Sequence, residues 1–252
     1  MPDLHWNIAS WDGSYDWSAG GEEWSEAWGG SEAQWFGSLY PRLHRRLPTG
    51  SILEIAPGYG RWTKFLIGAC RSYVGVDLSA ECIRACESSF SGVAHARFMK
   101  NDGLSLHAVQ CRFDLIFSFD SLVHAEVNVL ESYIPQMLER LEESGVAFIH
   151  HSNFHANTDH RTNPHYRATS VSAERVAGLV AVHGGRVLIQ ELVNWGGSDP
   201  CDCITVFARS GSPCVASPLV LNNHSFMEEA EIIKNYQSPY AVLSSDLAQR
   251  LV

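Results

Sequence analysis

The amino-acid sequence predicts an α/β fold in which a mostly parallel sheet carries helices on both faces. Short apolar runs alternate with helical segments over most of the 252 residues, and such alternation is typical of parallel sheets. The first apolar run ends in a Gly-x-Gly turn that opens into a helix. Near residue 200 two more apolar runs flank a polar turn, which predicts a C-terminal antiparallel hairpin. We therefore expect seven strands in one domain, residues 1–252.

The segment before the first strand is divided in two by its composition. Residues 1–30 are rich in tryptophan and too rich in glycine for a regular element. Since exposed indole rings are unfavourable, we expect this segment to pack across the domain as a cover on the ligand site. Residues 31–47 carry apolar side chains at helical spacing, with Ser31 as a candidate N-cap and Pro48 after the helix.

Strands and helices then alternate through a Rossmann-like core that we place at residues 31–210. The predicted strands are 51–55, 73–76, 94–99, 113–119, 145–149, 187–195 and 203–209. The predicted helices that separate them are 61–70, 80–89, 130–141 and 173–183. Residues 211–252 are predicted to form a helical extension, with one helix at 226–236 and a second short helix after it.

The most informative motif joins the first strand, the glycine turn and the second strand. Glu54 lies in the first strand, Gly58 and Gly60 form the turn, and Asp77 ends the second strand. Glycines let the backbone approach a ligand closely, and an acid at the end of the second strand can accept hydrogen bonds from ribose hydroxyls. The spacing therefore predicts a nucleoside-binding β-α-β unit.

With these residues the chain resembles the class I S-adenosylmethionine (SAM) methyltransferases. The resemblance implies a Rossmann-like fold, SAM as the cofactor, and a transferase. An NAD(P)-dependent oxidoreductase is the competing interpretation. The dinucleotide fingerprint has a third glycine where Thr63 stands here, and it rarely carries an acid at the position of Glu54. The motif therefore favours a SAM-dependent enzyme.

The resemblance also implies cofactor contacts at the carboxyl ends of the strands, where ligands bind in such sheets. The predicted cofactor-binding residues are Glu54, Gly58, Gly60, Asp77, Leu78, Asp102, Gly103 and Ser118. Within this set, Asp77 is expected to hold the ribose, Leu78 to contact the adenine face, and Asp102 to contact the adenine amino group.

Ionisable side chains follow the fourth and fifth strands. Asp120 and His124 come after the fourth strand, and His150 and His151 after the fifth. Oxygen methylation needs help to remove a proton, because an alcohol is a poor nucleophile at neutral pH. We predict His124 or His151 as the catalytic base, with Asp120 orienting it. Neighbouring residues in a strand point to opposite faces, so we expect only one of the two adjacent histidines to face the substrate.

The same cluster is also a candidate metal site. Asp120, His124 and His150, joined by Glu126, offer carboxylate and imidazole ligands to a divalent cation such as Mg²⁺. Mg²⁺ prefers oxygen ligands, so the histidines argue partly against it. The sequence leaves the choice between base and metal open.

A narrower resemblance points to the acceptor. Residues 28–35, 53–63, 117–126 and 150–153 look like segments of methyltransferases associated with bacterial glycan assembly. This resemblance implies O-methylation of a sugar, oligosaccharide or polysaccharide. The candidate acceptor-binding residues are Trp28, Glu32, Gln34, His150 and Arg167. The polar stretch 152–170 is long enough to be a binding loop, and we expect it to wall the acceptor site.

Two further functions remain open at this stage. A methyltransferase acting on a small natural product, at oxygen or nitrogen, predicts an apolar acceptor pocket with no need for the polar cluster. A SAM-binding regulator or partner subunit without turnover predicts that changing His124 or His151 leaves cofactor binding unaffected and that no acceptor gives a methylated product.

Composition limits the partners and the compartment. The formal net charge of −10 and the absence of a long basic run disfavour nucleic acid as a partner. Neither a signal-like N-terminus nor an apolar run of membrane-spanning length is present. Seven cysteines, an odd number, suit reduced thiols. We expect a cytoplasmic protein without a membrane span, and the sequence leaves homo-oligomerisation open.

Overall fold

One eight-stranded sheet organises the chain in the computed structural model, which describes residues 2–156, 163, 165–197, 199–214, 217–240, 243 and 250. The strands are β1 (Thr49–Ile55), β2 (Cys70–Asp77), β3 (Ala96–Lys100), β4 (Phe113–Ser118), β5 (Leu141–Ser152), β6 (Gly185–Val193), β7 (Asp202–Arg209) and β8 (Leu219–Asn223). Across the sheet they lie in the order β3-β2-β1-β4-β5-β7-β6-β8.

The pairing of the strands confirms the predicted fold class. The first five strands are parallel to one another, with β1 at the point where the chain reverses direction across the sheet. β7 then lies antiparallel between β5 and β6. The sheet is therefore mostly parallel and includes an antiparallel hairpin, and its ligand-binding edge is where the parallel strands end.

The eighth strand is an addition to the seven predicted strands. β8 pairs in parallel with the outer side of β6, within a segment predicted to be helical only. Leu219, Val220 and Leu221 remain exposed there, because an edge strand is held chiefly by backbone hydrogen bonds on one side. The second predicted C-terminal helix falls mainly on residues outside those the structure describes.

Helices cover both faces of the sheet. They are α1 (Leu4–Ala9), α2 (Ser31–Gln34), α3 (Tyr40–Leu43), α4 (Thr63–Ile67), α5 (Ala80–Ser89), α6 (Val127–Arg140), α7 (Ala173–Val182) and α8 (Phe226–Ile232). Four 3₁₀ segments span Trp17–Ala19, Glu22–Trp28, Leu122–His124 and Phe154–Ala156, and three π-helical segments span Ser10–Ser14, Trp35–Leu39 and Ile233–Gln237. In the part of the chain that is described, no helix is long and apolar enough to cross a membrane.

The N-terminal segment is more regular than its composition predicts. Glycine content suggests no element before residue 31, yet α1 and several single turns form there. The side chain of Asp3 caps α1 by accepting a hydrogen bond from the backbone N–H of Trp6 at 2.8 Å. Capping and aromatic packing thus compensate for the glycines between these turns.

Two apolar layers, one on each face, hold the sheet in place. Alternate residues of β4 point to opposite layers, with Ile116 against α6 on one face and Leu115 and Phe117 against Trp35 and Leu39 on the other. These residues are almost completely buried. The central strands are therefore covered on both faces, which leaves the strand ends as the place for polar chemistry.

Candidate active site

A cavity of about 610 Å³ lies at the carboxyl ends of the parallel strands. β1 and β2 contribute Ile55 and Asp77, and the loop after β4 contributes Asp120 and His124. Side chains of the N-terminal segment, residues 4–28, form much of the remaining wall. A ligand pocket of about 300–1,000 Å³ is typical for one small molecule, so this cavity suits a cofactor with a compact second ligand.

The glycine turn and Asp77 are joined directly. Asp77 Oδ2 accepts a hydrogen bond from the N–H of Gly58 at 3.0 Å, and Oδ1 accepts one from Ser79 at 2.8 Å. Burial raises the pKa of Asp77 to about 6. Gly58 has φ +57°, a conformation that disfavours a side chain, and an added Cβ would lie 3.4 Å from the Trp17 ring. Gly58 and Asp77, which were both predicted to bind the cofactor, line the cavity.

The loops after β2 and β3 continue this wall. Leu78 lines the cavity directly after Asp77, and Asn101 and Gly103 follow β3. Asn101 donates a hydrogen bond from Nδ2 to the hydroxyl of Tyr133 at 2.8 Å, which fixes its side chain. We call the side of the cavity formed by Gly58, Asp77, Leu78, Asn101 and Gly103 the cofactor half.

Asp102 does not take the place predicted for it. Its Oδ1 accepts backbone hydrogen bonds from Leu104 at 2.9 Å and from Ser105 at 2.6 Å, so the exposed carboxylate caps its own turn. Asp102 is absent from the cavity wall, whereas Asn101 and Gly103 on either side belong to it. The predicted adenine contact through Asp102 is therefore not supported, because the turn directs that side chain outwards.

Glu54 also lies away from the place predicted for it among the cofactor contacts. Its carboxylate is almost fully buried below the glycine turn and accepts hydrogen bonds from Thr63 Oγ1 at 2.7 Å and from the Tyr73 hydroxyl. Burial raises its pKa to about 7. Glu54 does not line the cavity. It braces the glycine turn from behind, through Thr63 at the start of α4.

Gly60 and Ser118 likewise support the wall without lining it. Gly60 has φ +89°, and an added Cβ would lie 2.7 Å from the Phe90 ring, so the position requires glycine for packing. Ser118 is fully buried and donates its hydroxyl to the carbonyl of Ile55 at 2.9 Å, which ties β4 to β1. Direct cofactor contacts by these two residues are not supported.

The N-terminal segment covers the cofactor half. Trp17 stacks on Tyr59 of the glycine turn, with ring centroids 4.7 Å apart. Asp12 fastens the segment to the start of α5, where its Oδ1 accepts hydrogen bonds from the N–H of Ala80 at 2.7 Å and from the Ser79 hydroxyl at 3.0 Å. Further tryptophans of this segment that line the cavity are Trp6, Trp11, Trp24 and Trp28.

His124 lies in the cavity wall within the 3₁₀ segment after β4. Its Nδ1 is 2.9 Å from the carbonyl oxygen of Tyr166, so Nδ1 carries the proton and Nε2 keeps a lone pair. The ring packs near Trp6 and Trp11, with centroids 6.3 and 5.3 Å away. Burial lowers the pKa of His124 to about 4, so the imidazole is neutral at pH 7.

Asp120 is paired with an arginine and does not orient His124. Its Oδ2 lies 2.7 Å from Nη2 of Arg61, and both side chains are almost buried. Arg61 also donates to Ser25 Oγ at 3.0 Å and lies over the Trp62 ring. Orientation of His124 comes from the Tyr166 carbonyl instead, which corrects the predicted role of Asp120.

His150 is enclosed behind the cavity wall. Its Nδ1 accepts a hydrogen bond from the N–H of Asp120 at 3.2 Å, and its Nε2 lies 3.3 Å from Asp202 Oδ2. The ring stacks on Phe119 at a centroid distance of 4.5 Å. His150 is fully buried and does not line the cavity, so its predicted acceptor contact is not supported.

His151 points to the other face of the sheet, as the strand alternation predicts. Both ring nitrogens have partners, with Nδ1 2.8 Å from the carbonyl of Ser152 and Nε2 2.7 Å from Thr205 Oγ1. Burial lowers its pKa to about 4. His151 is fully buried away from the cavity, so the prediction that it is a catalytic base is wrong.

The candidate metal ligands do not converge. Asp120 binds Arg61, and Glu126 accepts hydrogen bonds from the backbone N–H of Ser170 at 2.9 Å and from its hydroxyl. Among the described residues, no group of three or more His, Cys, Asp or Glu could hold a metal ion. The donor set therefore does not fit the divalent cation considered from the sequence.

Arg167 lines the opposite end of the cavity. Its Nε and Nη2 lie 2.9 and 2.7 Å from the two oxygens of Asp202, and its guanidinium stands over the Trp195 ring. Trp195 in turn packs against Trp28 at 5.1 Å between ring centroids. We call the side formed by Trp28, His124, His165, Arg167 and Trp195, all of which line the cavity, the acceptor half.

Glu32 and Gln34 lie in α2 and are absent from the cavity wall. Gln34 is fully buried, and neither atom of its amide has a hydrogen-bond partner among the described residues. Their predicted contacts with the acceptor are not supported, because α2 packs against the helical segments 22–28, 35–39 and 233–237. In the stretch 152–170, residues 157–162 and 164 lie outside the described part, whereas His165, Tyr166 and Arg167 line the cavity.

Comparison with known proteins supports the interpretation of this geometry. Residues 52–145, from β1 into β5, match the family model described as a methyltransferase domain. This match covers less than half of the chain and assigns those residues to a methyltransferase domain. The protein is accordingly a transferase, and SAM is its methyl donor. No curated protein matches the sequence with significance.

Solved structures agree with the methyltransferase fold. A SAM-dependent methyltransferase from Clostridium acetobutylicum ATCC 824 superposes with a TM-score of 0.55 at 16% identity, over 81% of this chain and 96% of that one. N-methyltransferase NodS from Bradyrhizobium japonicum WM9, bound to S-adenosyl-L-homocysteine, gives 0.54 at 18% identity, over 68% and 85%. The glycopeptide N-methyltransferase MtfA, bound to SAM, gives 0.53 at 14% identity, over 69% and 86%. At such identities the likeness concerns the fold.

The cofactor half of the methyltransferase domain suits SAM chemically. Asp77 presents a carboxylate for ribose hydroxyls, and Gly58 leaves room where a Cβ would fill the space beside Trp17. Leu78 adds an apolar surface next to them. These placements agree with the sequence interpretation, and the individual contacts stay predictions.

Several residues of the wall were not found by sequence reasoning. Arg61 directly follows Gly60, so its position beside the glycine turn was a usable signal. Trp195 ends a predicted strand, which gave a weaker signal. Tyr166 contributes through its backbone carbonyl, and no residue pattern indicates such a contact.

Proposed function

We propose that the protein is a SAM-dependent O-methyltransferase acting on a hydroxyl of a sugar or of the end of an oligosaccharide. The observation that carries the proposal is the state of His124, a neutral imidazole in the cavity wall with its Nε2 lone pair unengaged by the described residues. When bound, SAM supplies an electrophilic methyl group. A hydroxyl that attacks it must lose its proton, which is the task of a positioned base.

His124 has the features of such a base. The carbonyl of Tyr166 fixes the tautomer through Nδ1, and Trp6 and Trp11 restrict the ring. A pKa of about 4 keeps the imidazole neutral at neutral pH and also makes it a weak base, so it takes up the proton only as the forming C–O bond makes the hydroxyl acidic. His124 then accepts the hydroxyl proton at Nε2, while the surrounding rings exclude water from the site.

The acceptor half suits a compact, polar ring. Trp28 and Trp195 offer aromatic surfaces, and His124 and Arg167 bring polar groups to the same end of the cavity. Sugar rings use both kinds of contact, apolar on their C–H faces and polar at their hydroxyls. The cavity volume of about 610 Å³ must also hold the cofactor, which limits the acceptor to roughly one or two rings. A longer glycan would therefore react at its end.

Transfer to an amine is the second candidate, and Glu23 favours it. Glu23 lines the cavity beside Trp24, and its Oε2 is buried without a hydrogen-bond partner among the described residues. A carboxylate next to aromatic rings suits an ammonium group. The glycopeptide enzyme and NodS, which share the fold, are named as N-methyltransferases.

A labelled-methyl assay separates these functions. SAM carrying a labelled methyl group is incubated with D-glucose, D-galactose, D-glucuronate and the amine D-glucosamine, and products are identified as ethers or N-methyl compounds. We expect ethers, and we expect His124→Gln to lower kcat about 10²–10⁴-fold. The affinity for S-adenosylhomocysteine should stay within about twofold, because His124 lies outside the cofactor half.

The matched control is His107→Gln, which changes an exposed histidine away from the cavity. It should leave kcat unchanged. N-methyl product alone, or ether formation that survives His124→Gln, would contradict the proposal. Cofactor binding without transfer to any acceptor would instead support a regulator that binds SAM without turnover.

A further inference from the structure

Arg167 is a buried cation at the end of the cavity that lies far from Asp77. Its partner Asp202 is the first residue of β7, at the sheet edge where β2 ends in Asp77. β7 lies four positions from β2 in the strand order, which corresponds to about 19 Å at roughly 4.8 Å per strand. Only 5% of Arg167 is exposed, and that part faces the cavity.

The hydrogen bonds of Arg167 leave one side of its guanidinium available. Asp202 receives the Nε and Nη2 donors at 2.7–3.1 Å. Nη1 makes no hydrogen bond to a described residue, and it is not among the atoms sealed from solvent without a partner. Because a guanidinium carries five N–H donors, the Nη1 side can bind a second group while Asp202 occupies the first.

The surroundings hold this cation rigidly. Asp202 is fully buried, and the same Oδ2 atom that binds Nη2 of Arg167 also lies 3.3 Å from His150 Nε2. Trp195 supports the guanidinium with its ring centroid 5.3 Å from the central carbon. A preorganised arginine loses little side-chain freedom on binding, which favours recognition of a planar or tetrahedral anion.

A second arginine, Arg61, lies beside the cofactor half, whereas Arg167 lies in the acceptor half. Arg61 directly follows the glycine turn and pairs with Asp120 at 2.7 Å. A carboxylate on the cofactor therefore has a guanidinium closer to the glycine turn than Arg167. Arg167, which pairs with Asp202 at the start of β7, is therefore available to bind a group on the acceptor.

We propose that Arg167 binds a carboxylate or phosphate on the acceptor, so that the acceptor is an acidic or phosphorylated sugar. This inference rests on the proposed function, because it identifies the substrate class of the same site. His124 and Arg167 line the same half of the cavity, so an anion on Arg167 holds the acceptor beside the base.

Binding to the wild-type protein gives the first test. Protein saturated with S-adenosylhomocysteine is titrated with acetate, inorganic phosphate, D-glucuronate and D-glucose at constant ionic strength, and stabilisation is read from thermal unfolding. We expect D-glucuronate to bind at least about tenfold more tightly than D-glucose, as a charge-assisted hydrogen bond allows. Acetate against phosphate shows which anion the site prefers. Equal affinity for the two sugars, with no response to either simple anion, would overturn the proposal.

Two variants then assign the preference to Arg167. Asp202→Asn removes the counter-charge and should strengthen the preference for the anion several-fold. Arg167→Gln combined with Asp202→Asn replaces the ion pair with a neutral hydrogen-bonding pair and should reduce the preference to about one. The two variants share the Asp202 change, so they differ only in the cation.

Three results would refute the assignment. The first two are a preference for D-glucuronate over D-glucose that persists in the double variant and a preference that falls in Asp202→Asn. The third is a loss of S-adenosylhomocysteine affinity in the double variant while anion binding is unchanged. The last result would place Arg167 on the cofactor. These readouts need no methyl transfer. Anion binding without ether formation would refute the proposed reaction and leave only the anion-binding role of Arg167, whereas ether formation on neutral sugars alone would refute that role and leave the reaction.

Discussion

The two halves of the cavity are built from very different stretches of chain. The cofactor half comes from residues 58–103, where three consecutive strands end next to one another. The acceptor half draws Trp28, His124, Arg167 and Trp195 from distant parts of the chain. Local spacing therefore defines the first half, whereas long-range packing assembles the second. This difference explains why a shared fold carries the same cofactor chemistry but different acceptors.

The halves also differ in how their charges are compensated. Behind the cofactor half, Glu54 is buried among neutral donors, and burial raises its pKa to about 7. In the acceptor half, burial alone would raise the pKa of Asp202, but Arg167 beside it holds the pKa at about 2. Glu54, which supports the cofactor half, should therefore titrate in the neutral range, and Asp202, which supports the acceptor half, should not.

The largest expected effect concerns Glu54 and protein stability. The folded-state pKa of about 7 lies above the ordinary value of 4.5, so between these pH values the folded protein keeps a proton that the unfolded chain has released. The contribution of Glu54 to stability is thus present below pH 4.5 and is lost as the pH rises through 7. Relative to Glu54→Gln, the wild-type free energy of unfolding should fall by about 3 kcal/mol across this window.

Urea unfolding at pH 4.5, 6 and 7.5 measures this difference. Glu87→Gln, at an exposed position of α5, is the control and should follow the wild type at each pH. Parallel curves for wild type and Glu54→Gln would mean that Glu54 titrates normally and that the contrast between the halves is absent.

The next effect in size concerns Asp77 and cofactor affinity. Asp77→Asn keeps the shape of the side chain but removes its charge and one of the two oxygens that accept hydrogen bonds from the N–H groups of Gly58 and Ser79. We expect S-adenosylhomocysteine to bind about 10–100-fold more weakly, the loss typical of charge-assisted hydrogen bonds. Calorimetric titration gives the value directly. Unchanged affinity would show that the ribose lies elsewhere.

The smallest effect is expected at Asp102, the acid that the sequence places in the cofactor half and the structure does not. Asp102→Asn retains a side-chain oxygen for the turn formed with Leu104 and Ser105. The affinity for S-adenosylhomocysteine should therefore change by less than about twofold, since neutral caps of a turn differ little from charged ones. A loss as large as that of Asp77→Asn would restore the sequence-based assignment.

Sequence reasoning failed where the direction of a side chain mattered. Glu54, Asp102 and Ser118 stand at the expected positions in the chain, yet each turns to a partner within the protein. His150 and His151 follow β5 as predicted, but β7 encloses them through Asp202 and Thr205. β8 was missed because its short apolar run pairs only at the sheet edge.

The sequence by itself determined the α/β fold, the glycine turn and the acid at the end of β2. These features depend on periodicity and on spacing between neighbouring elements, which a linear pattern records. The tertiary structure decided the tautomer of His124, the pairing of Arg61 with Asp120, and the position of Arg167 against Asp202. Each of these joins residues far apart in the chain, so its geometry exists only once the core has packed and brought the strand ends together.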